Sequence, residues 1–329
     1  MLRFIGKRIL MMIPVLFGVS LIIFTMNYLT PGDAADMLLG DSATIEQKEQ
    51  LREELKLNEP YLVQYVNYMK GVLHGDLGTS YSTKRPVMDE LLDRFPTTLK
   101  LSLAGVLLSL IFGVTLGIIS ATKQYSIFDT FATSFSLLGV SMPNFWLAMM
   151  LIIIFAVNLK ILPPSGLSTP LHWILPVVSL GMNSTATIMR MTRSSMLEVV
   201  RQDYIRTARA KGQKESLVIL RHALPNALIP IITVAGLQFG RLMGGAVMAE
   251  TVFSIAGIGK LMVDAIKLQN APVVQGGVLF IAFVTSIVNL IIDILYALVD
   301  PRIRSQYIKP KQKKTPPVKG GRNQWMRKP

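Results

Sequence analysis

The run that comes closest to an anion-binding loop is Ser254-Ile255-Ala256-Gly257-Ile258-Gly259-Lys260. A phosphate loop needs glycines around a tight turn, a Lys for the phosphates and a Ser or Thr for magnesium. Here the glycine five positions before Gly259 is missing, and Leu261 stands where the Ser or Thr would be. The chain therefore has no nucleotide-hydrolysing site of its own. Its three histidines, His74, His172 and His222, are far apart in sequence, and no H-E-x-x-H motif occurs. With no cysteine, disulfides, thiolate chemistry and Cys-ligated metals are excluded. There is no G-x-S-x-G elbow and no pair of carboxylates at membrane depth. No catalytic residue and no metal site is expected, which leaves an intramembrane protease or transferase without support.

Two ionisable residues sit inside otherwise apolar runs, Arg241 and Asp293. Charges at such depth face protein or water rather than lipid. Arg241 is a candidate for a translocation path, with a structural ion pair as the alternative for both.

The runs that hold them define the architecture. Mean hydropathy is +0.45, and the apolar residues are gathered into long uncharged blocks at 9–29, 101–122, 130–159, 161–189, 223–249 and 271–299, the last two interrupted by Arg241 and Asp293. About 20 apolar residues cross the hydrocarbon of a bilayer. The sequence thus predicts an all-α integral membrane protein with six transmembrane helices. The first block is longer than a signal-peptide core and is expected to be retained. Leu162-Pro163-Pro164-Ser165-Gly166 separates the third block from the fourth as a turn.

Charge sets the orientation. Lys and Arg total 34 against 20 Asp and Glu, a formal net charge of +14. Eight basic residues fall in 190–221 and ten follow Asp300, whereas 30–98 holds twelve acidic residues against seven basic. Basic segments mark the cytoplasmic side, so both termini are expected in the cytoplasm and 30–98 outside. The expected organisation is a first transmembrane helix plus an extracytoplasmic helical cap (1–98), a five-helix core with a cytoplasmic loop at 190–223 (99–305), and a disordered basic tail (306–329). The cap contains a capping box at Thr44 and Gln47, a helix opened by Pro60, and a short amphipathic helix expected to end before Pro96. Gly113 and Gly117, then Gly236, Gly240 and Gly244, have the spacing that lets helices approach closely in lipid. The basic tail suits anionic lipid; no fold surrounds it that would read nucleic acid.

The cytoplasmic loop reads RQDYIRTARAKGQKESLVILRHALPNALIP from Arg201. Asp203 to Lys211 are good helix formers, Gly212 ends that helix, and Leu224-Pro225 leads into the fifth block. A short helix standing on the membrane face between two spans is suited to passing motion from a soluble partner to them.

This loop resembles the coupling loop of permease subunits of ATP-binding-cassette importers. The chain as a whole is similar to the dipeptide/oligopeptide branch of that family, the binding-protein-dependent inner membrane components. Pro31-Gly32-Asp33, Gly75-Asp76-Leu77-Gly78, Arg94-Phe95-Pro96-Thr97-Thr98-Leu99, the stretch from Asp203 to Gly212, Leu237-Gln238-Phe239-Gly240, Glu250-Thr251-Val252-Phe253, Gly257-Ile258-Gly259 and Asp300-Pro301-Arg302-Ile303-Arg304 carry the likeness over residues 1–305. The resemblance implies a type I ABC importer permease fold in a bacterial or archaeal cytoplasmic membrane. It implies three kinds of partner besides the lipid bilayer. They are a second homologous permease, two ATPase subunits holding ATP and magnesium, and an extracytoplasmic peptide-binding protein or lipoprotein. No cofactor is implied for this chain. The resemblance further implies that Asp203, Tyr204, Arg206, Ala208, Arg209, Ala210, Gly212, Leu224 and Pro225 form the ATPase-coupling element. Glu250, Phe253, Gly257 and Gly259 are implied to form an outer gate or a contact with the other permease. Two departures stand out: the coupling motif has Arg206-Thr207-Ala208 where Glu-Ala-Ala is usual, and the outer motif lacks its usual Trp and Pro. Peptide import is the expected activity. Nickel import by the same fold is the alternative, ahead of a self-contained channel, a secondary carrier or a membrane-anchored interaction protein.

Overall fold

The computed structural model describes residues 2–30, 34–40 and 43–299. The tail read at 306–329 and the motif from Asp300 to Arg304 lie outside them, as does Pro31-Gly32-Asp33. The described residues are helical. In chain order the helices are α1 (Leu2–Leu29), α2 (Ala34–Leu39), α3 (Ile45–Glu54), α4 (Tyr61–Leu73) and α5 (Val87–Thr122). Next come α6 (Ile127–Ser141), α7 (Asn144–Leu151, prolonged by a π-helical stretch, Ile152–Asn158) and α8 (Leu171–Val200). They are followed by α9 (Asp203–Ala210), α10 (Glu215–Leu217, prolonged by a π-helical turn, Val218–Ala223), α11 (Leu224–Val252), α12 (Ile258–Lys267) and α13 (Ala271–Val299).

Helix α8 is the centre of the bundle, packed by α5, α11, α6 and α7. Its contact with α5 is made backbone to backbone. A Cβ placed on Gly113 would sit 2.9 Å from the Thr185 carbonyl oxygen, and one on Gly117 2.8 Å from that of Met189. From the other side, a Cβ on Gly181 would lie 3.0 Å from the Gly105 oxygen. The G-x-x-x-G pair read in the sequence thus seats α5 on α8 within one chain, as small residues do between helices in lipid. Ser109 Oγ donates to the Gly181 carbonyl at 2.8 Å across the same contact. Gly236 and Gly240 serve α11 in the same way, against Ile292 and Asn289 of α13. Gly244 faces open space.

Among the described residues, four helical segments are long and apolar enough to cross a membrane: Ile5–Leu29, Val87–Thr122, Glu215–Val252 and Ala271–Leu295. A bent pair, α6 with α7, raises the number to five. Six apolar spans are expected from the sequence; among the described residues four, or five with the bent pair, meet the test of length and apolarity. The helix that falls short is α8. At 30 residues it is about 45 Å long, but it carries Ser179, Ser184, Thr185, Thr192 and Ser195, all buried. Protein surrounds it, so it need not be apolar on every side. The third block is not one straight helix either. It turns by 107° between α6 and α7, at Met142-Pro143. Met142 is extended (φ −82°, ψ 127°), the conformation that a following proline imposes.

Two further expectations change. The short helix expected to end before Pro96 instead runs on as α5 to Thr122, with Pro96 inside it. The boundary read at residue 98 therefore falls within a helix. The loop read at 190–223 begins later than residue 190, because α8 continues to Val200 and carries Arg190 and Arg193 on it. The capping box at Thr44 and Gln47 forms as read, with Gln47 N donating to Thr44 Oγ1 at 3.3 Å and Thr44 N to Gln47 Oε1 at 3.0 Å.

The first and last described long helices, α1 and α13, pack on each other, and Arg8 pairs with Asp293 at 2.9 Å. Asp293 is thereby one half of a structural ion pair. Only 11% of the apolar window of each of these two helices is buried, so most of their surface is left for lipid or other subunits.

Candidate coupling loop and outer turn

The loop expected in the cytoplasm is a folded element. Helix α9 is amphipathic: Ile205 and Ala208 are buried, while Asp203, Tyr204, Arg206, Arg209 and Ala210 face outward. Ile205 and Ala208 join a core with Ile188, Met196, Val218, Ile219 and Ala223, which fixes α9 to the inner ends of α8 and α11. Burying Ile205 alone contributes roughly 1.5–3 kcal/mol. Ala208 thus faces this chain's own core rather than the outer surface of the loop. Gly212 takes a left-handed conformation, φ +73°, and turns the chain back. Across that turn Arg209 grips Glu215, with Nε to Oε2 at 3.0 Å and Nη2 to Oε1 at 2.6 Å. The hydrogen-bonded Glu215 carboxylate holds the Arg209 pKa above its usual value. The Tyr204 hydroxyl accepts from Asn226 Nδ2 at 3.0 Å, tying α9 to the start of α11 beside Leu224 and the exposed Pro225. The outward surface carries Tyr204, Leu217 and Leu220 among charged neighbours.

The second site lies at the other end of α11. Glu250, 0% exposed, turns its carboxylate onto the N-terminus of α12. Thr98 Oγ1 donates to Glu250 Oε1 at 2.6 Å, and Lys260 N donates to Oε2 at 3.1 Å. Thr98 Oγ1 in turn accepts from Ile258 N at 3.0 Å. A helix N-terminus presents free N–H groups and positive potential, so a buried carboxylate finds compensation there. The turn between them explains its residues. Ser254 is left-handed at φ +52°, and Phe253 is buried, its carbonyl accepting from Gly166 N at 2.9 Å. A Cβ on Gly257 would overlap the Glu250 carboxylate, and one on Gly259 would overlap the Val247 backbone. The run that most resembled a phosphate loop is therefore an anion site already filled by the chain's own glutamate.

A third constellation was not singled out from the sequence. Asp129, buried at the start of α6, accepts both Arg193 Nε and Nη2 at 2.9 Å. It also accepts Ser120 Oγ and, at 3.0 Å, Tyr125 N. This cluster ties the α5–α6 turn to α8 seven residues before α8 ends. Arg193 had been read as one more loop charge. The only signal available was an isolated Asp at the edge of an apolar block. Arg241 stands alone from all of these. It is exposed on the face of α11 that carries Leu237, Gly244 and Met248.

The family model "Binding-protein-dependent transport system inner membrane component" matches residues 113–305, and its N-terminal companion matches residues 1–102. The chain belongs to this family. Its members include the dipeptide transport system permease protein DppB of Alkalihalophilus pseudofirmus, 44% identical over 92% of this chain and 100% of that protein. The di/tripeptide permease DppB of Pseudomonas aeruginosa is 43% identical over 93% and 100%. The glutathione transport system permease GsiC of Pectobacterium atrosepticum is 42% identical over 92% and 99%. Among solved structures, the inward-facing MetNI methionine ABC transporter matches with a TM-score of 0.53 at 18% identity, covering 65% of this chain and 97% of that one. That likeness establishes the type I ABC importer permease fold.

The Thr98–Glu250 contact yields a stability prediction. Thr98→Val removes both the donor to Glu250 and the acceptor for Ile258 N, leaving buried groups unmatched at about 1–3 kcal/mol each. Gly257→Ala forces the carboxylate off the helix. Both variants should lower the unfolding temperature of the purified protein, whereas Thr98→Ser should leave it near the unmutated value. Equal melting of Thr98→Val and the unmutated protein would mean the contact carries no net stability.

Proposed function

We propose that this chain is one of two permease subunits of an ATP-driven importer for di- and oligopeptides in a cytoplasmic membrane. The observation that carries the reading is full-length similarity to permeases named for dipeptides and for di/tripeptides. The glutathione permease among the relatives places a small peptide within the same class of cargo. Peptide is favoured over the nickel alternative because these names are peptide names.

In this reading a solute-binding protein delivers peptide at the outer face, and a second, homologous permease completes the pathway. Two ATPase subunits, with ATP and magnesium, sit below. The chain's own contribution is transmission and passage. Asp203, Tyr204, Arg206, Arg209 and Ala210 present the docking surface. Gly212, Leu224 and Pro225 set its angle, and Ala208 anchors the docking helix to the bundle. The firm seating of α9 on α8 and α11 supports this role, since a loosely tethered loop transmits no force. Arg241 lines the pathway. An arginine facing lipid at that depth costs about 3 kcal/mol by insertion scales, and water or a partner's acidic group relieves that cost. Glu250, Phe253, Gly257 and Gly259 hold a rigid outer turn suited to a gate or to contact with the second permease. Gly257→Ala should then reduce uptake while the ATPases remain bound. Both termini lie in the cytoplasm, with α8 crossing inside the protein as the sixth span.

Three measurements test this. At Gly212 a Cβ meets nothing within 4 Å, so substitution acts through backbone geometry alone. A left-handed residue with a side chain costs roughly 1–2 kcal/mol, and a β-branched one more. Gly212→Val should leave insertion and assembly intact while peptide uptake and ligand-stimulated ATP hydrolysis fall together. Gly212→Asn should be milder. Unchanged stimulation in Gly212→Val would remove the loop from the coupling route. In the same reconstituted system, Arg241→Leu should assemble normally and shift the preference among acidic, neutral and basic peptides; an unaltered preference would restrict Arg241 to structure. For orientation, the absence of native cysteine permits single-cysteine labelling. Glu46→Cys should react with an impermeant thiol reagent in intact cells and Lys211→Cys should not; the opposite pattern would invert the topology.

A further inference from the structure

Helix α4 belongs by sequence to the outer segment between the first two spans, yet it packs along α1 well below the outer end of that helix. Tyr61 OH is 2.7 Å from Thr25 Oγ1, and Tyr65 OH is 2.9 Å from Ser20 Oγ. The Tyr65 ring meets Phe17 and Phe24 edge-on, and Tyr68 stacks on Phe24. The Arg8–Asp293 pair gives a reference level, because the apolar block of α1 begins at Ile9, directly after Arg8. Ser20 lies twelve residues beyond Arg8, about 18 Å along the axis at 1.5 Å per residue. Hydrocarbon is about 30 Å thick, so the Tyr65 hydroxyl sits roughly 12 Å beneath the outer boundary. At that depth a hydroxyl without a partner is costly, and Ser20 and Thr25 supply the partners from within the span.

The three long edges of α4 differ in character. Tyr61, Tyr65 and Tyr68 form the edge against α1. Gln64 and Asn67 lie on a second edge and line a cavity of about 610 Å³ shared with Asn27, Glu59 and Gln275. The third edge holds Leu62, Val66, Met69 and Leu73, spaced i, i+4, i+7, i+11, the stripe of one helical face. It is uncovered: Leu62 is 70% exposed, Val66 48% and Leu73 80%. Lys70, exposed, borders it and has a stem long enough to carry its charge to the interface.

We propose that α4 is an interfacial helix set into the outer leaflet, with acyl chains covering Leu62, Val66, Met69 and Leu73. The arguments for lipid as occupant are the depth fixed by Ser20, the internal pairing of the Tyr61 and Tyr65 hydroxyls, and the exposed apolar surface of α1 at Leu21 and Ile22 on the same span. Helices with one apolar face, one polar face and bordering Lys settle in this way in the plane of the interface. The outer segment is then held by the membrane itself, with Gln64 and Asn67 turned to the cavity on another edge of the helix.

The test uses single cysteines at Val66, Leu73 and Asn67, labelled with an environment-sensitive fluorophore in the full-length chain within the reconstituted transporter. Labels at Val66 and Leu73 should lose fluorescence to lipids brominated on the acyl chain and be shielded from aqueous iodide. The label at Asn67 should show the reverse. Iodide quenching at Val66 and Leu73 would place the stripe in water and overturn the proposal. Shielding of both from iodide and from bromolipid alike would assign the stripe to a protein partner and overturn it as well.

Discussion

Inside a bilayer there is no hydrophobic gain in bringing two helices together, since lipid is as apolar as leucine. Cohesion then depends on close approach and on satisfied polar groups. In this chain that constraint converges on α8. Gly113, Gly117 and Gly181 let α5 and α8 come within backbone contact, and Ser109 spans the same seam to the Gly181 carbonyl. Helix α11 packs on this pair from one side, the bent α6–α7 pair from another, and α9 joins it through the core that holds Ile205 and Ala208.

The same economy of partners governs the charges. Glu250, Asp129 and Asp293 all lie in helices of the membrane portion, and each is matched. Glu250 caps α12 with help from Thr98. Asp129 is clasped by Arg193. Asp293 meets Arg8. The first and second of these tie together segments that would otherwise be joined only by apolar packing. Removing one partner of a buried charge costs far more than the pair contributes. Directional contacts of this kind fix where α12 and the α5–α6 turn sit, which apolar packing alone does poorly.

Part of this was legible in the amino-acid order. Helices α1, α5, α11 and α13 announce themselves by long apolar runs, and the capping box of α3 by Thr44 and Gln47. The end of α9 follows from Gly212, whose left-handed backbone the sequence reading anticipated. Other features were hidden because they depend on distant residues. Nothing near Glu250 indicates that its hydroxyl partner is Thr98, 152 positions away. Nothing near Arg193 reveals Asp129, 64 positions away. The polar content of α8 blurs its hydropathy because its solvent is other helices. The continuation of α5 through Pro96 runs against local propensity, and packing against α12 and α13 outweighs the proline.

The pairing of α1 with α13 has a bearing on biosynthesis. During synthesis the first helix leaves the ribosome long before the helix on which it rests. For most of translation α1 is in the membrane without its final neighbour. Its nearly uniform apolar surface, with hydroxyls at Ser20 and Thr25 that also bond their own backbone carbonyls, keeps it soluble in lipid during that wait. Pairing of α1 with α13 thus waits until α13 has been made, and a chain truncated before α13 would leave its first helix unclaimed in the bilayer.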